Sequence, residues 1–288
     1  MFKGSIVALI TPFNNKGNVD LGFLKELILW HVKCKTDGIV LCGTTGESPT
    51  LSDQEKIQIF RAVTKVGKGK IQIIAGTGSY STQKTILLTQ KAKDIGVDGA
   101  LVVVPYYNKP SLSGIIKHYE EISKIKLPLI LYHHPKRTGT QISIEALLNM
   151  QKMPYISAIK EASGDLEFNL KLLEKSTKNI LSGDDALIVS VMKKGAKGSI
   201  SVLANIIPCQ WKEITKLCFE NRFDEANKKI NFYKPLIEAM FLESNPICVK
   251  YALSLMKKCL NIIRLPLMKP SFANQRKIKK VLIEYSLM

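Results

Sequence analysis

The sequence predicts an α/β chain folded as a closed (β/α)8 TIM barrel with a C-terminal helical extension. Three observations carry that expectation. Eight short, β-rich apolar runs succeed one another as far as Val202. Roughly 15 to 30 residues with apolar spacing of three and four separate each run from the next. Each run is apolar nearly throughout, as parallel strands covered on both faces must be. An open doubly wound sheet would share this alternation, but its phosphate-binding fingerprints are missing. Gly76-Thr77-Gly78 has no third glycine at Tyr80–Ser81, and Gly43-Thr44-Thr45-Gly46 is not continued by Gly-Lys-Ser/Thr. The count of eight and the length of 288 residues suit a barrel, for which about 250 residues is usual.

The expected strands are Ser5–Thr11, Gly38–Gly43, Ile71–Gly76, Ala100–Pro105, Leu129–His133, Ile156–Glu161, Ile180–Gly183 and Ser199–Val202. Between them, Asp20–Lys33 opens on a capping aspartate, and Ser52–Val66 opens with Ser52 and Glu55 at capping-box spacing. Ser81–Ile95, Ser111–Ile122, Ser143–Met150, Asp165–Ser176 and Asp184–Lys193 continue the helical series. After the eighth strand the chain reads as helix only. Asp224–Phe241 and Ile247–Leu260 are amphipathic, and Pro266 and Pro270 punctuate a loop before a last helix. The division expected is a barrel over 1–223 and a helical region over 224–288, packed on the barrel or on a neighbouring subunit.

Composition narrows the function classes. Hydrophobic residues at 45% and charged residues at 23% are those of a globular chain with a sizeable core. Apolar stretches such as Ile6–Ile10 fall far short of the ~18 residues of a membrane span. The N-terminal apolar run is too short for a secretory signal, so a cytoplasmic location is expected. The formal charge of +18 raises the question of a polyanion partner. Only Arg61, Arg137, Arg222, Arg264 and Arg276 among the 42 basic residues are arginine, and the lysines are scattered over polar faces. Nucleic-acid readers lean on arginine, so a solvated lysine surface is the reading preferred. The six cysteines form no C-x-x-C pair and are expected to be reduced, buried thiols.

In such a barrel the chemistry sits at the C-terminal ends of the strands. Those ends carry Thr44-Thr45-Gly46-Glu47, Pro105-Tyr106-Tyr107-Asn108, Tyr132-His133-His134, Lys160-Glu161 and Gly183-Asp184-Asp185. Lys160, in Ile156-Ser157-Ala158-Ile159-Lys160-Glu161, faces either the barrel interior or the helix layer. Both disfavour the charge, so its pKa is expected to fall toward neutrality, and a neutral amine attacks carbonyl carbon to form an imine. Tyr132 is the natural proton-transfer partner, with Thr44 and Tyr107 able to extend a hydroxyl chain. The Gly43–Glu47 turn offers backbone N–H groups and two hydroxyls as a carboxylate cradle. His133 and His134 are adjacent and face opposite ways in a strand, so they cannot share a metal, and no metal site is expected. Asp184-Asp185 reads as a helix cap rather than an acid pair.

These motifs, taken together, resemble dihydrodipicolinate synthase, of the class I pyruvate-dependent aldolase/lyase superfamily. The resemblance rests on Gly43-Thr44-Thr45-Gly46-Glu47-Ser48, Pro105-Tyr106-Tyr107-Asn108, Tyr132 through Arg137-Thr138-Gly139, Ile159-Lys160-Glu161-Ala162, Ser182-Gly183-Asp184-Asp185, Ser201-Val202 through Asn205, Asn245-Pro246 with Lys250, and Arg264-Leu265-Pro266-Leu267. It spans essentially the whole chain in order. The resemblance implies that Lys160 forms the Schiff base with pyruvate and that Tyr132 moves protons through Thr44 and Tyr107, the latter from an adjacent subunit. It implies pyruvate contacts at Thr45 and the Ile200 backbone, substrate binding at Gly183, and Arg137 on the carboxylate of L-aspartate 4-semialdehyde. The implied product is 4-hydroxy-tetrahydrodipicolinate, on the route to diaminopimelate and lysine. No cofactor beyond the covalent pyruvate imine is implied, and the assembly implied is a homotetramer. Arg137 weighs against the alternative, an N-acetylneuraminate or keto-deoxy-sugar acid lyase, and a basic binding protein on a barrel scaffold is the reading from another class.

Two departures from the family pattern stand out. His133-His134 occupies positions where the family often has Asn-Val. The lysine-feedback site of regulated members falls near Ser48, Pro49, Asp53, Lys56, Tyr80, Lys84 and Tyr106. Such members carry a carboxylate where this chain has Lys84, histidines at Asp53 and Lys56, and asparagine at Tyr80. A cation at Lys84 would repel the ligand's ammonium by about 1–4 kcal/mol at ~4 Å, so weak or absent inhibition by L-lysine is expected.

Overall fold

The structure, a computed structural model, describes residues 2–288. Eight strands form its centre: β1 Gly4–Ala8, β2 Gly38–Leu41, β3 Gln72–Gly76, β4 Gly99–Val103, β5 Leu129–His133, β6 Ile156–Glu161, β7 Asn179–Ser182 and β8 Gly198–Ser201. They pair in parallel and in chain order, and β8 returns to β1 to close the barrel. The helices are α1 Leu21–Lys33, α2 Asp53–Gly67, α3 Thr82–Ile95, α4 Leu112–Ser123, α5 Pro135–Thr138, α6 Ile144–Met150, α7 Leu166–Lys175 and α8 Ile188–Lys193. After β8 come α9 Pro208–Phe219, α10 Phe223–Phe232, α11 Lys234–Met240, α12 Ile247–Leu255 and α13 Phe272–Glu284. No helix among the described residues is long and apolar enough to cross a membrane.

Period-two alternation divides the strand residues into two buried sets. Ile6, Val40, Ile74, Leu101, Ile130, Ala158, Leu181 and Ile200 fill the barrel, with Phe2 below them. The alternate residues, Val7, Ile39, Ile73, Val102, Leu131 and Ile159, face the helices. Side-chain caps begin most of the helices where the sequence places them. Asp20 accepts from Gly22 and Phe23, and Ser52 with Glu55 closes a reciprocal capping box at 2.8 and 3.2 Å.

The seam between first and last strand needs glycine on both sides. Gly4 and Gly198 are register partners at φ 87 and 129, and a Cβ on Gly198 would lie 2.1 Å from the Gly4 carbonyl. Beside the seam, Asp37 accepts from the Ser5 N–H at 2.7 Å and from Lys212 Nζ at 2.6 Å, which joins α9 to the foot of β2.

Several boundaries differ from expectation. The first strand ends at Ala8 rather than Thr11, because Ile10 N–H donates to the Asn205 side chain and Thr11 Oγ1 to the Gly46 carbonyl. Those residues remain buried beneath neighbouring loops, so the apolar run outlasts the ladder. Cys42 turns left-handed at φ 52 and ends β2 before Gly43. The helix expected over Asp184–Lys193 is a one-turn 3-10 helix, Asp185–Leu187, followed by α8. The stretch Asp224–Phe241 divides into α10 and α11 at Lys234-Pro235, where proline supplies no N–H.

The cysteine expectation needs correction. Cys34, capping the end of α1, and Cys209, in the first turn of α9, form a disulfide with Cα atoms 4.5 Å apart. The other four are buried free thiols. Barrel closure brings together two residues 175 apart, so no local spacing announces the pair. A non-reducing digest should contain a Cys34–Cys209 cross-linked peptide. Cys209→Ser should lower the unfolding free energy by about 2–4 kcal/mol in urea titration; two free thiols at these positions in the native protein would refute the bond.

Candidate active site

Lys160 faces the barrel interior, which resolves the alternative the sequence leaves open. It shares its face of β6 with Ala158, and Ala162, just past the strand, continues that face; both belong to the interior cluster. Tyr132 is its register partner on β5, and Lys160 Nζ sits 4.2 Å from the centre of the Tyr132 ring. The lysine is only 6% exposed. Its stem passes Gly183 so closely that a Cβ there would lie 2.9 Å from Lys160 Cε. Burial lowers the Lys160 pKa to about 7; the nearby Asp185 carboxylate opposes this and the Arg137 guanidinium adds to it. Burial pushes Tyr132 up to about 12, against the pull of Arg137 and of a hydrogen bond with Thr44.

The opposite face of the same strands holds these two in place. Glu161 and His133, each fully buried, meet at 2.7 Å between Glu161 Oε2 and His133 Nδ1. Ile142 N–H donates to His133 Nε2 at 3.3 Å, so the ring's proton lies on Nδ1 and points at the carboxylate. Glu161 Oε1 accepts from Ser163 N–H at 2.6 Å and from Asn169 Nδ2 at 3.4 Å. Asp184 caps Ala186 N–H, while Asp185 Oδ2 accepts from Val202 and Leu203 N–H at 3.1 and 2.7 Å. Both aspartates therefore cap backbone, although Asp185 also acts on Lys160 through space.

Above the lysine, two cavities share Gly43, Thr44, Leu101, Tyr132, His134 and Arg137 in their walls. The larger, about 820 Å³, contains Lys160, Thr45, Gly183 and Asn245. The smaller, about 180 Å³, contains Ser48, Pro49, Tyr106 and Thr138. Asn245 Nδ2 donates to Thr45 Oγ1 at 2.9 Å, and Arg137 Nη2 donates to the Asn245 carbonyl at 3.3 Å. An amine near neutrality, a phenol with a hydroxyl neighbour and a guanidinium thus converge on one water-accessible space. That set can form an imine, move a proton and hold a carboxylate.

Comparison with known proteins agrees with this chemistry. The sequence pattern of the dihydrodipicolinate synthetase family matches residues 1–285. The chain belongs to that family. Among curated relatives, 4-hydroxy-tetrahydrodipicolinate synthase of Trichlorobacter lovleyi is 44% identical over 291 residues, covering 100% of both chains. The crystal structure of dihydrodipicolinate synthase from Aquifex aeolicus superposes with a TM-score of 0.97 at 40% identity, covering 99% of each chain. The chloride-inhibited dihydrodipicolinate synthase of Acinetobacter baumannii, crystallised with pyruvate, gives 0.98 at 39% identity over 100% of each. The present chain is thus an enzyme, a lyase of the class I aldolase type on a TIM barrel.

Within this dihydrodipicolinate synthetase family member, not every residue singled out in the sequence meets at the cavity. Tyr107 stands at φ 73 and 90% exposed, outside its own chain's cavities. Ile200 is packed in the apolar floor with Ile6 and Leu181 rather than in the cavity wall. Tyr80 meets Tyr106 edge-on at 5.7 Å, and its carbonyl accepts from Asn108 Nδ2. Lys84 lies in the first turn of α3 and, like Asp53 and Lys56 on α2, is not part of the smaller cavity's wall. The backbone cradle expected at Gly43–Glu47 is partly spent: Gly46 and Ser48 N–H donate to the Gly43 carbonyl and Glu47 N–H to that of Thr44. Sequence reasoning passed over Asn245 as a site residue, because nothing local links it to Thr45, 200 positions away.

Glu47 ties this turn to the C-terminal helices. It adopts φ 56 and pairs with the buried Lys250 of α12, whose Nζ lies 3.9 Å from the centre of the Phe13 ring. Glu47 Oε2 also accepts from Arg264 N–H at 3.0 Å, and the Arg264 guanidinium covers Phe13 at 4.3 Å while pairing with Glu55. Lys250→Met would leave the Glu47 carboxylate buried without its ion partner. It should cost about 3–5 kcal/mol in chemical denaturation, and a loss below 1 kcal/mol would show that the pair does not fix the turn.

Proposed function

We propose that the enzyme is a 4-hydroxy-tetrahydrodipicolinate synthase, condensing pyruvate with L-aspartate 4-semialdehyde in diaminopimelate and lysine biosynthesis. One observation supports this above others: the Lys160 amine, held out of water against Tyr132, has a pKa of about 7 and is partly neutral at physiological pH. In this reading the neutral amine attacks the pyruvate ketone and water leaves to give the imine. The imine draws electrons from the methyl group, which loses a proton to form the enamine, and the enamine carbon attacks the aldehyde. Tyr132 gives and takes the protons, with Thr44 as its hydroxyl neighbour. Thr45 and Gly183 shape the pyruvate end, and Arg137 pairs with the carboxylate of the aldehyde. The covalent imine is the only prosthetic chemistry this route needs.

Tyr107, exposed on the β4–α4 loop, completes the relay only from a second copy, which calls for at least a dimer; the assembly proposed, on the family resemblance, is a homotetramer built from such dimers. The compartment proposed is the cytoplasm. Reduction with borohydride in the presence of pyruvate should add one pyruvyl group to the Lys160 peptide, and Lys160→Ala should abolish the adduct. Because only the neutral amine reacts, trapping should quicken as pH rises through about 7 and level off above it. Labelling of a different lysine, or a rate flat from pH 6 to 8, would overturn the assignment.

Insensitivity to L-lysine belongs to the same proposal. Burial and, to a smaller degree, the positive field of Lys84 lower the Lys56 pKa. Lysine's ammonium would meet this field where regulated relatives offer a carboxylate. Turnover should hold to within about twofold in millimolar L-lysine; half-inhibition below 1 mM would reject insensitivity.

A further inference from the structure

Among the residues that line both cavities, His134 is the one polar side chain that the proposed chemistry leaves unused. It lies between Tyr132 and Arg137 in the chain, lines both cavities, and its ring centre is 5.8 Å from that of Tyr132. Its Nδ1 is buried and has no hydrogen-bond partner, unlike His133, whose two nitrogens are engaged by Glu161 and Ile142. Buried polar atoms are rarely left this way without a purpose.

The ring's surroundings decide what it can offer. Burial, followed by Arg137, Lys160, His133 and Lys136, holds the imidazole down at about 3, so the ring is neutral and carries a single N–H. Nδ1 meets neither a donor nor an acceptor; a buried N–H left unpaired is rarer than a buried lone pair left unpaired, so the hydrogen is assigned to Nε2, which is not among the buried unpartnered atoms. The acidic side chains Asp184, Glu238 and Glu243 line only the larger cavity. At the shared wall, a ligand meets cationic and neutral donors alone.

We propose that His134 Nε2–H is a second donor, beside the Arg137 guanidinium, for the carboxylate of the aldehyde substrate. This rests on the reading of the second substrate as an aldehyde acid and makes His134 a specificity residue for it. A neutral donor widens the anion site without adding a charge that would further depress the Lys160 pKa. The ammonium end of an amino-acid aldehyde is then left to turn toward the acidic wall of the larger cavity.

Steady-state kinetics on three proteins, native, His134→Val and His134→Gln, test the assignment. Loss of the donor in His134→Val should raise KM for aspartate semialdehyde about tenfold or more, with kcat and KM for pyruvate within about twofold. His134→Gln, which keeps an N–H donor, should recover most of the loss. An unchanged aldehyde KM in His134→Val would overturn the proposal, and so would an equal rise in both variants, which would mark a role of shape alone. Borohydride trapping of pyruvate, run in parallel, separates the two levels of inference. Equal labelling of Lys160 in all three proteins keeps the Schiff-base reading whatever the KM values show. Failure of the native protein to label Lys160 would overturn that reading and this one with it.

Discussion

A lysine amine can be carried inside this barrel only because a side chain is missing beside it. Gly183 leaves the gap through which the Lys160 stem passes, and the interior residues two positions to either side of the lysine, Ala158 and Ala162, are small as well. The amine then has an aromatic face at 4.2 Å and little water around it. Desolvation lowers its pKa, and the Asp185 carboxylate keeps the fall from going further. Two opposed effects of burial and charge set the amine near neutrality. Asp185 has its own pKa raised to about 6 by burial, against the pull of the Val202 and Leu203 N–H groups. The backbone at the end of β8 therefore reaches Lys160 through one carboxylate.

The same strands show how a parallel barrel separates chemistry from support. Alternation sends Lys160 and Tyr132 inward and Glu161 and His133 outward to the helix layer. The outward pair is fully satisfied by Ile142, Ser163 and Asn169, which fixes the backbone that carries the inward pair. His134, one residue beyond, has left the strand and stands in the cavity wall instead. Adjacent histidines thus take different tasks because one closes the ladder and the other opens the loop.

The C-terminal helices are part of the site by construction. Lys250 and Arg264 reach Glu47 across Phe13, and Asn245 reaches Thr45 and Arg137. A buried ion pair is a weak source of net stability, since desolvation offsets most of the attraction. Its effect here is to fix one geometry: Glu47 at positive φ winds the turn that presents Thr44 to Tyr132.

Local physics made much of this legible in the sequence. Apolar runs of strand length, Ser and Asp caps, and the order of the eight units determined the (β/α)8 barrel; the strand-end rule placed Lys160, Tyr132 and Thr44 at one mouth, and the family resemblance added Arg137. These depend on periodicity and chain order, which the sequence carries directly. Tertiary structure alone decided that Lys160 faces inward, since a strand buried on both faces shows no polar side from which to read direction. It alone paired Cys34 with Cys209, brought Asn245 to Thr45 and set Lys250 on Glu47, because barrel closure and the return of the last helices join residues some 200 positions apart. Contacts between distant segments leave no period and no local motif; they exist only once the ring of strands is closed.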